Sequence, residues 1–585
     1  MMTSNTPAFF FSIILSCFLL AGCSDFADRQ AMQIIPVSFD NITDESGIGN
    51  CIYWFDEQDV TATPDTRWET PEDTACWPAG MVIDLGQAYQ ISKIGLYDAV
   101  NKGSGSAGGY SQGIMQVFTG EPFRWDLECE YQAKQEGCWT YLKSGFTTRY
   151  IRLVKKCARD WVQEGQFSCD LSINEVVFFG VPVDKAFSPG ITLVEQTNQK
   201  YSMDDMMLIN TSLTARSECH NASDSLRTCE PMRMIIEQKS GTQRITEMAL
   251  VDPQQAGSGM IRFMEVGNRD GLYPGVPSCQ AKPFRAAALA SVAYEGQRGQ
   301  PGAFAGIKQA DPSTMLVLTG IPALSVHYLK AIRLWSCAFR KDSFPADVIG
   351  LYRFCNTDNG KGGQSLHGIS PEADNLKARL QELVRWRNRE LPGKEIWLTE
   401  FGWDTRDDSP CSATGHTRYP EEAGILELQA LWLVRAYLAG SAAGLERMFM
   451  PRLKDGTGSD PLSSSGMLDI HGNPKKSWYY VSALGNVLKG MYFSREIMSG
   501  DPDVWIYQYM NPDSSRSVLV MWCPTSDGTE VKNYKLSLEG SPDRVSMVEL
   551  MDGFENGLVR DIQLTHGTLM VHVTEKPVFL VMDNE

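Results

Sequence analysis

Glu400 stands near the end of the run Glu395-Ile396-Trp397-Leu398-Thr399-Glu400-Phe401-Gly402-Trp403-Asp404, where a short apolar, aromatic-rich stretch is interrupted by a hydroxyl and a carboxylate. A carboxylate at the end of a buried strand costs on the order of several kcal/mol unless it is paired or hydrogen-bonded. Two uses satisfy that demand. An Arg can hold the Glu in a loop, or the Glu can be a catalytic carboxylate at the carboxyl end of a β/α-barrel strand, where barrel enzymes keep their chemistry. The β-type composition after the turn Leu391-Pro392-Gly393-Lys394 favours the second. Other chemistries find little support. The seven His residues offer no i, i+4 metal pair, no serine nucleophile elbow is present, and no C-x-x-C occurs. No cofactor and no metal are expected.

Stepping along the chain, the elements that would position Glu400 alternate. Strands are predicted at Ile261–Gly267, Met315–Ile321, Val348–Cys355, Glu395–Glu400 and Arg447–Leu453. Helices are predicted at Pro283–Tyr294, Val326–Phe339, Glu421–Leu438 and Lys476–Leu488. One more is expected to open at Pro371, with Leu376, Leu380, Leu383 and Val384 on one face. Strand–helix alternation of this kind gives parallel βα units in an α/β layer or barrel. Residues 183–260 are less regular, and Asp204–Leu208 reads as either helix or strand. A βα unit with its return strand takes about 30 residues, so this stretch has little room for three strands and their crossover helices. The barrel is therefore expected to be truncated or rebuilt at its start.

On either side the pattern turns to strands. Met81–Gly86, Ile91–Tyr97, Tyr150–Val154 and Ile173–Phe179 predict a β-sandwich over 38–182. Val504–Tyr507, Val518–Trp522, Met570–Val573 and Val578–Met582 predict a second over 495–585, after a barrel at 183–492. A formal charge of −18 argues against nucleic acid as a partner.

The start of the chain reads as a targeting segment, residues 1–22. The apolar run Ala8–Ala21 ends in Leu20-Ala21-Gly22-Cys23, which resembles a bacterial lipobox. That resemblance implies cleavage before Cys23, lipidation of its thiol and an exported protein tethered to the cell envelope. Met1–Pro7 lacks the usual Lys or Arg. Fifteen cysteines, six of them between Cys51 and Cys169, fit an oxidising compartment. Proximity alone suggests the pairs Cys129–Cys138, Cys157–Cys169 and Cys219–Cys229, with at least two disulfides expected within 51–169.

Two longer segments also carry resemblances. Residues 38–182 resemble discoidin-type (coagulation factor 5/8 C-terminal type) galactose-binding-like domains through Ile83-Asp84-Leu85-Gly86, Arg149-Tyr150-Ile151-Arg152 and Asn174-Glu175-Val176 with Gly180. Residues 185–490 resemble a clan A glycoside hydrolase barrel of the (β/α)8 TIM type, similar to family 39-like bacterial enzymes. The motifs are Ile261-Arg262-Phe263-Met264-Glu265-Val266-Gly267-Asn268, Ala310-Asp311-Pro312, Phe344-Pro345-Ala346-Asp347 and Trp397–Trp403, with Lys475-Lys476-Ser477-Trp478 downstream.

The barrel resemblance implies a retaining glycosidase acting on a poly- or oligosaccharide, with Glu400 as nucleophile. It also implies an acid/base Glu immediately after Asn268, but the chain has Arg269 there. A guanidinium does not give up its proton near neutral pH. Asp270 is the nearest substitute, and Glu265 reads as a structural residue paired with an Arg. Asn268, Arg269, Tyr352, Arg353 and Trp403 are the candidate substrate-binding residues. Tyr273, Tyr352, Phe354 and Trp403 suit stacking on sugar rings or, equally, aromatic packing at the barrel mouth. Arg269 and Arg353 are also placed to neutralise Glu400. Two readings stay open, a glycosidase with an altered acid and a catalytically silent, lipid-anchored sugar-binding protein on the same scaffold.

Overall fold

The computed structural model describes residues 33–47, 50–61, 64, 79–99, 114–134, 136–156, 173–183, 202–209, 262–266, 283–296, 306–321, 324–357, 367–413, 421–459, 461–538, 544–562, 564 and 567–583. The lipobox, residues 210–261, Asn268, Arg269, Asp270 and Tyr273 lie outside these. The chain divides into two compact units, residues 1–191 with 327–343, and residues 192–326 with 344–585.

The first unit is antiparallel. Its strands are β1 (Ile34–Ile35), β2 (Ile42–Asp44), β3 (Ala79–Asp98), β4 (Ile114–Glu121), β5 (Arg124–Gln132), β6 (Cys138–Lys156) and β7 (Ile173–Pro182). They run in the order β1-β7-β3-β6-β4-β5, with β2 on β3. The two strands expected at 81–86 and 91–97 are one. Ala79–Asp84 pairs with Tyr150–Lys155, then the register shifts and Tyr89–Asp98 pairs with Cys138–Thr148. Gly86, at φ 78°, lies at the shift, in a conformation that L side chains avoid. A strand bent there can serve two layers, and both halves feed one core of Ile83, Ile94, Val117, Ile151 and Phe178.

Among the described residues no disulfide holds this core. Cys51, Cys129 and Cys138 are free thiols, which corrects the Cys129–Cys138 pairing. Cys129 lies on β5 and pairs in register with Val117 of β4, whereas Cys138 lies opposite Asp98 of β3. Proximity in sequence put them together, and the sheet separates them. With three of the six cysteines free, two disulfides cannot form among those at 51–169.

The second unit contains a parallel sheet of β8 (Met207–Ile209), β9 (Phe263–Val266), β10 (Met315–Ile321), β11 (Val348–Arg353), β12 (Glu395–Phe401) and β13 (Arg447–Met450). Between them in sequence come α1 (Pro283–Glu295), α2 (Val326–Arg340), α3 (Leu376–Glu390) and α4 (Glu421–Ala443), and α5 (Lys476–Val487) follows; all but α2, which falls in the first unit from His327 on, belong to the second. The order is β8-β13-β12-β11-β10-β9. Five strands follow the chain in sequence, and then the earliest strand sits beside the last. A sheet that simply kept winding in one direction would leave β13 at an edge; β8 beside it means that the sheet comes round on itself.

Ring contacts agree. Phe263 on β9 and Trp397 on β12 have two strands between them, about 14 Å of flat sheet, yet their centroids are 4.7 Å apart. Only a curled sheet with both rings on its inner face allows that. The chain thus carries a partial parallel barrel sheet together with β-layered parts.

Pro371 does not open α3. A turn spans 371–375, Asn375 takes φ 53°, and the helix begins at Leu376. Its buried face of Leu376, Leu380, Leu383 and Val384 is the one the spacing predicts.

The chain ends in an antiparallel sheet of β14 (Tyr492–Ile497), β15 (Trp505–Met510), β16 (Arg516–Trp522), β18 (Val545–Glu549), β19 (Leu558–Ile562) and β21 (Val578–Asp583). A hairpin-like pair, β17 (Glu530–Ser537) and β20 (Thr568–Thr574), packs against it through Leu519, Met521, Leu536, Val571 and Leu580. Ion pairs fix this layer to the barrel helices. Glu372 accepts from the fully buried Arg435 and from the Trp522 indole at 3.1 Å. Glu427 on α4 meets both Lys476 and Lys576 at 2.9 Å, so their charges hold its carboxyl below the usual range even though burial pushes the other way.

Candidate active site

Glu400 is 3 % exposed, near the carboxyl end of β12. Simple alternation would put Trp397, Thr399 and Phe401 on one face and Leu398 and Glu400 on the other. The pairing with β11 shows otherwise. Gly350 is opposite Trp397 and Leu351 opposite Leu398, but Tyr352 is opposite Glu400. Thr399 is therefore an extra residue, a bulge, and its hydroxyl donates to the Leu351 carbonyl at 3.2 Å. One inserted residue reverses the alternation beyond it. Glu400 joins Trp397 on the inner face, while Phe401 turns outward onto Tyr437 of α4, with centroids 5.0 Å apart. Gly402 follows at φ 153°, which suits glycine and lets the chain leave the strand at once.

The inner face reads as layers. The lower one holds Phe263, Val317, Val348, Trp397 and Phe449. Arg447 lies with them, its guanidinium over the rings of Trp397 at 5.2 Å and Phe263 at 5.5 Å. The next inward residue after Phe263 is Glu265, and the next after Trp397, counted through the bulge, is Glu400. Two carboxylates thus stand immediately above two touching rings. Tyr352, beside Glu400 in register, donates its hydroxyl to Glu265 Oε1 at 2.8 Å. The hydroxyl reaches it across β10, a partner that the sequence reading of Glu265 did not include. The signal available was spacing, since Glu265 is two residues beyond an inward-facing aromatic.

The remaining candidates fall as follows. Arg353 donates to Asp374 through Nε at 2.7 Å and through a second nitrogen. Arg379 reaches the same carboxylate at 3.2 Å, and its pKa is lowered by burial first and by the nearby Arg353 cation next. Trp403 is 1 % exposed, gives its indole N–H to the Ile369 carbonyl at 3.0 Å and lies near Trp432. Of the two roles open to it, packing at the mouth is the one this conformation shows. Phe354 packs with Cys411 and Leu462. Among the described residues no group of three or more His, Cys, Asp or Glu is placed to hold a metal ion.

The loops after β12 and β13 are tied together by a residue that spacing did not flag. Asp404 is fully buried and accepts from Ser464 N and Oγ, both at 2.9 Å, from Leu462 N at 2.7 Å and from Ser409 Oγ. Beside it Lys475 and Asp455 form a buried pair at 3.0 Å. Burial lowers the lysine and raises the aspartate despite their attraction, so the pair braces the loops more than it stabilises the fold. The carboxyl ends of β12 and β13 therefore open onto a firmly bonded rim.

No family model and no curated protein sequence matches the chain. Among solved structures, its neighbours include glycoside hydrolases at low identity. One is a family 39 glycoside hydrolase from the gut symbiont Bacteroides cellulosilyticus WH2, with 13% identity over 84% of this chain and 98% of that one and a TM-score of 0.37. Another is an alpha-L-arabinofuranosidase from Thermotoga maritima, with 11% identity over 61% and 73% and a TM-score of 0.38. A third is the CBM32 of AlyQ, solved with 4,5-unsaturated mannuronic acid, with 16% identity over 25% of this chain and 98% of that one and a TM-score of 0.18. Identities and scores this low mark a likeness alone.

Proposed function

We propose that the chain is an exported, carbohydrate-active protein whose barrel works as a retaining-type glycosidase on a poly- or oligosaccharide, with Glu400 as nucleophile. One observation carries this reading: the bulge at Thr399, which turns a buried carboxylate onto the inner face at the carboxyl end of a barrel strand. A hydrophobic strand gains nothing in stability from such a carboxylate, and burying one is costly. Chemistry is a reason to keep it. Retaining hydrolysis needs a carboxylate to attack the anomeric carbon and a second carboxyl to protonate the departing oxygen. Asp270 is the sequence candidate for the second role.

A second reading is a catalytically silent sugar-binding barrel. It is favoured by Arg269, which follows Asn268 where the resembled enzymes carry their acid. A panel of activated aryl glycosides separates the two. Cleavage by wild type and its loss in Glu400→Gln support the glycosidase. No cleavage by wild type or by Arg269→Glu, with a glycan still bound, selects the silent binder.

We further propose, from Leu20-Ala21-Gly22-Cys23, that the mature protein is held at the bacterial envelope through a lipid on Cys23.

A further inference from the structure

We infer that Glu265 is the second carboxyl of this site, the group that gives the proton to the leaving oxygen, and that Tyr352 is the positioning residue that orients it. The inference rests on the glycosidase reading above.

Placement comes first. Glu265 and Glu400 are the inward residues directly above Phe263 and Trp397, whose rings are 4.7 Å apart. Two strands that meet so closely at one layer hold their next inward side chains within reach of each other. Tyr352 adds an independent measure. Its backbone neighbours Glu400 across one strand spacing, about 4.8 Å, and its hydroxyl lies 2.8 Å from Glu265 Oε1. One phenol side chain therefore spans from beside the nucleophile to the second carboxyl.

Tyr352 is 4 % exposed and packed, so its hydroxyl is a fixed donor that sets how the Glu265 carboxyl is turned. Glu265 itself is only half-buried. A group that served packing alone would be better as an apolar residue above two aromatic rings. Among the described residues, Phe263, Trp397, Phe449 and the Arg447 guanidinium fill the layer below these carboxyls, which leaves the carboxyl ends of the strands as the side for a substrate to approach.

The chemistry balances. In the first step a Glu400 oxygen bonds to the anomeric carbon. The bond from that carbon to the leaving oxygen breaks, its electron pair stays on the oxygen, and the Glu265 proton joins it. In the second step a water oxygen bonds to the anomeric carbon, and the ester bond to Glu400 breaks with its electrons returning to the carboxylate. Glu265 then takes the proton that the water releases. Nothing is oxidised or reduced.

The test compares wild type, Glu265→Gln, Tyr352→Phe and Asp270→Asn on aryl glycosides of graded leaving-group ability. Positioned acids contribute roughly 100-fold or more. Glu265→Gln should therefore lose about 100-fold in kcat/KM on phenyl glycosides and far less on dinitrophenyl glycosides. Azide should speed its turnover and give a glycosyl azide of retained configuration, because azide needs no base. Tyr352→Phe should show the same leaving-group dependence in milder form, about 10-fold, mainly in kcat. A merely structural role would lower all substrates equally and would not respond to azide. If Glu265→Gln fails to fold, the Tyr352→Phe pattern alone decides. Should Asp270→Asn show the acid signature while Glu265→Gln or Tyr352→Phe keeps the wild-type dependence, the inference is overturned and the glycosidase reading stands. Inactivity of wild type on the whole panel overturns both.

Discussion

Phe263 and Trp397 meet face to edge inside the sheet, 4.7 Å apart at 68°, although β10 and β11 separate their strands. This contact closes the floor beneath Glu265 and Glu400 and holds the curvature that makes them neighbours. Trp397 is 3 % exposed and also meets Phe449 at 5.4 Å. Trp397→Ala should cost about 3–5 kcal/mol of stability, as large aromatic truncations in cores do. Equilibrium unfolding in urea measures it, and a loss below about 1 kcal/mol would mean that the inner face is not packed as described.

Deleting Thr399 tests the bulge directly. Without the extra residue, Glu400 follows Leu398, and a regular period of two still places Glu400 on the inner face and Phe401 on the outer one. The folded deletion variant is therefore expected to keep turnover of activated aryl glycosides. Complete loss of turnover in a folded deletion variant would show that Thr399 is not an extra residue in the pairing.

The thiols make a third case. Cys51, Cys129, Cys138, Cys337, Cys355, Cys411 and Cys523 are thiols outside any disulfide, and of these seven Cys138 and Cys337 are exposed. Burial pushes the Cys51 and Cys355 thiols well above the usual cysteine value, so they react slowly in the native state. Native protein should therefore label quickly at Cys138 and Cys337, and unfolded, unreduced protein should label at all seven. Peptide mapping that finds Cys129 joined to Cys138 would contradict the fold of the first unit.

Glu175 predicts a pH dependence. It is fully buried, accepts Gln58 N at 2.9 Å, and burial raises its pKa to about 8. Its folded value exceeds the unfolded one, so the folded state holds a proton that the unfolded state has lost. The stabilisation is complete below about pH 4 and is lost as pH rises through 8, at up to about 1.4 kcal/mol per pH unit. Glu175→Gln should flatten the stability of the first unit between pH 5 and 8. An unchanged slope in that variant would remove Glu175 as its source.

The lipid anchor is checked by fractionation. Cys23→Ser should release the protein from membranes or block its processing; equal membrane partitioning of the two forms would refute the anchor.

Much of the scaffold is legible in local pattern. Met315–Ile321 is a strand with the predicted bounds, and α1, α2 and α5 fall within a residue or two of expectation. Apolar periodicity is local, and so it can be read from residues a few positions apart. Three features resisted. The bend that makes 79–98 one strand depends on its partner's register, the start of α3 depends on Asn375 taking a left-handed conformation, and Cys129 and Cys138 are separated by a sheet order that sequence distance does not encode.

The sequence by itself determined that a carboxylate ends an apolar strand at Glu400, that strands and helices alternate around it, and that Arg269 stands after Asn268. Which way Glu400 points was decided only by tertiary structure, because one bulged residue reverses a period of two and the bulge exists only in the pairing with β11. The partners of Arg353 and Glu265 were decided the same way. Each is reached from a distant part of the chain, Asp374 in one case and Tyr352 in the other. A hydrogen bond depends on where two atoms end up in space, and residue order does not fix that.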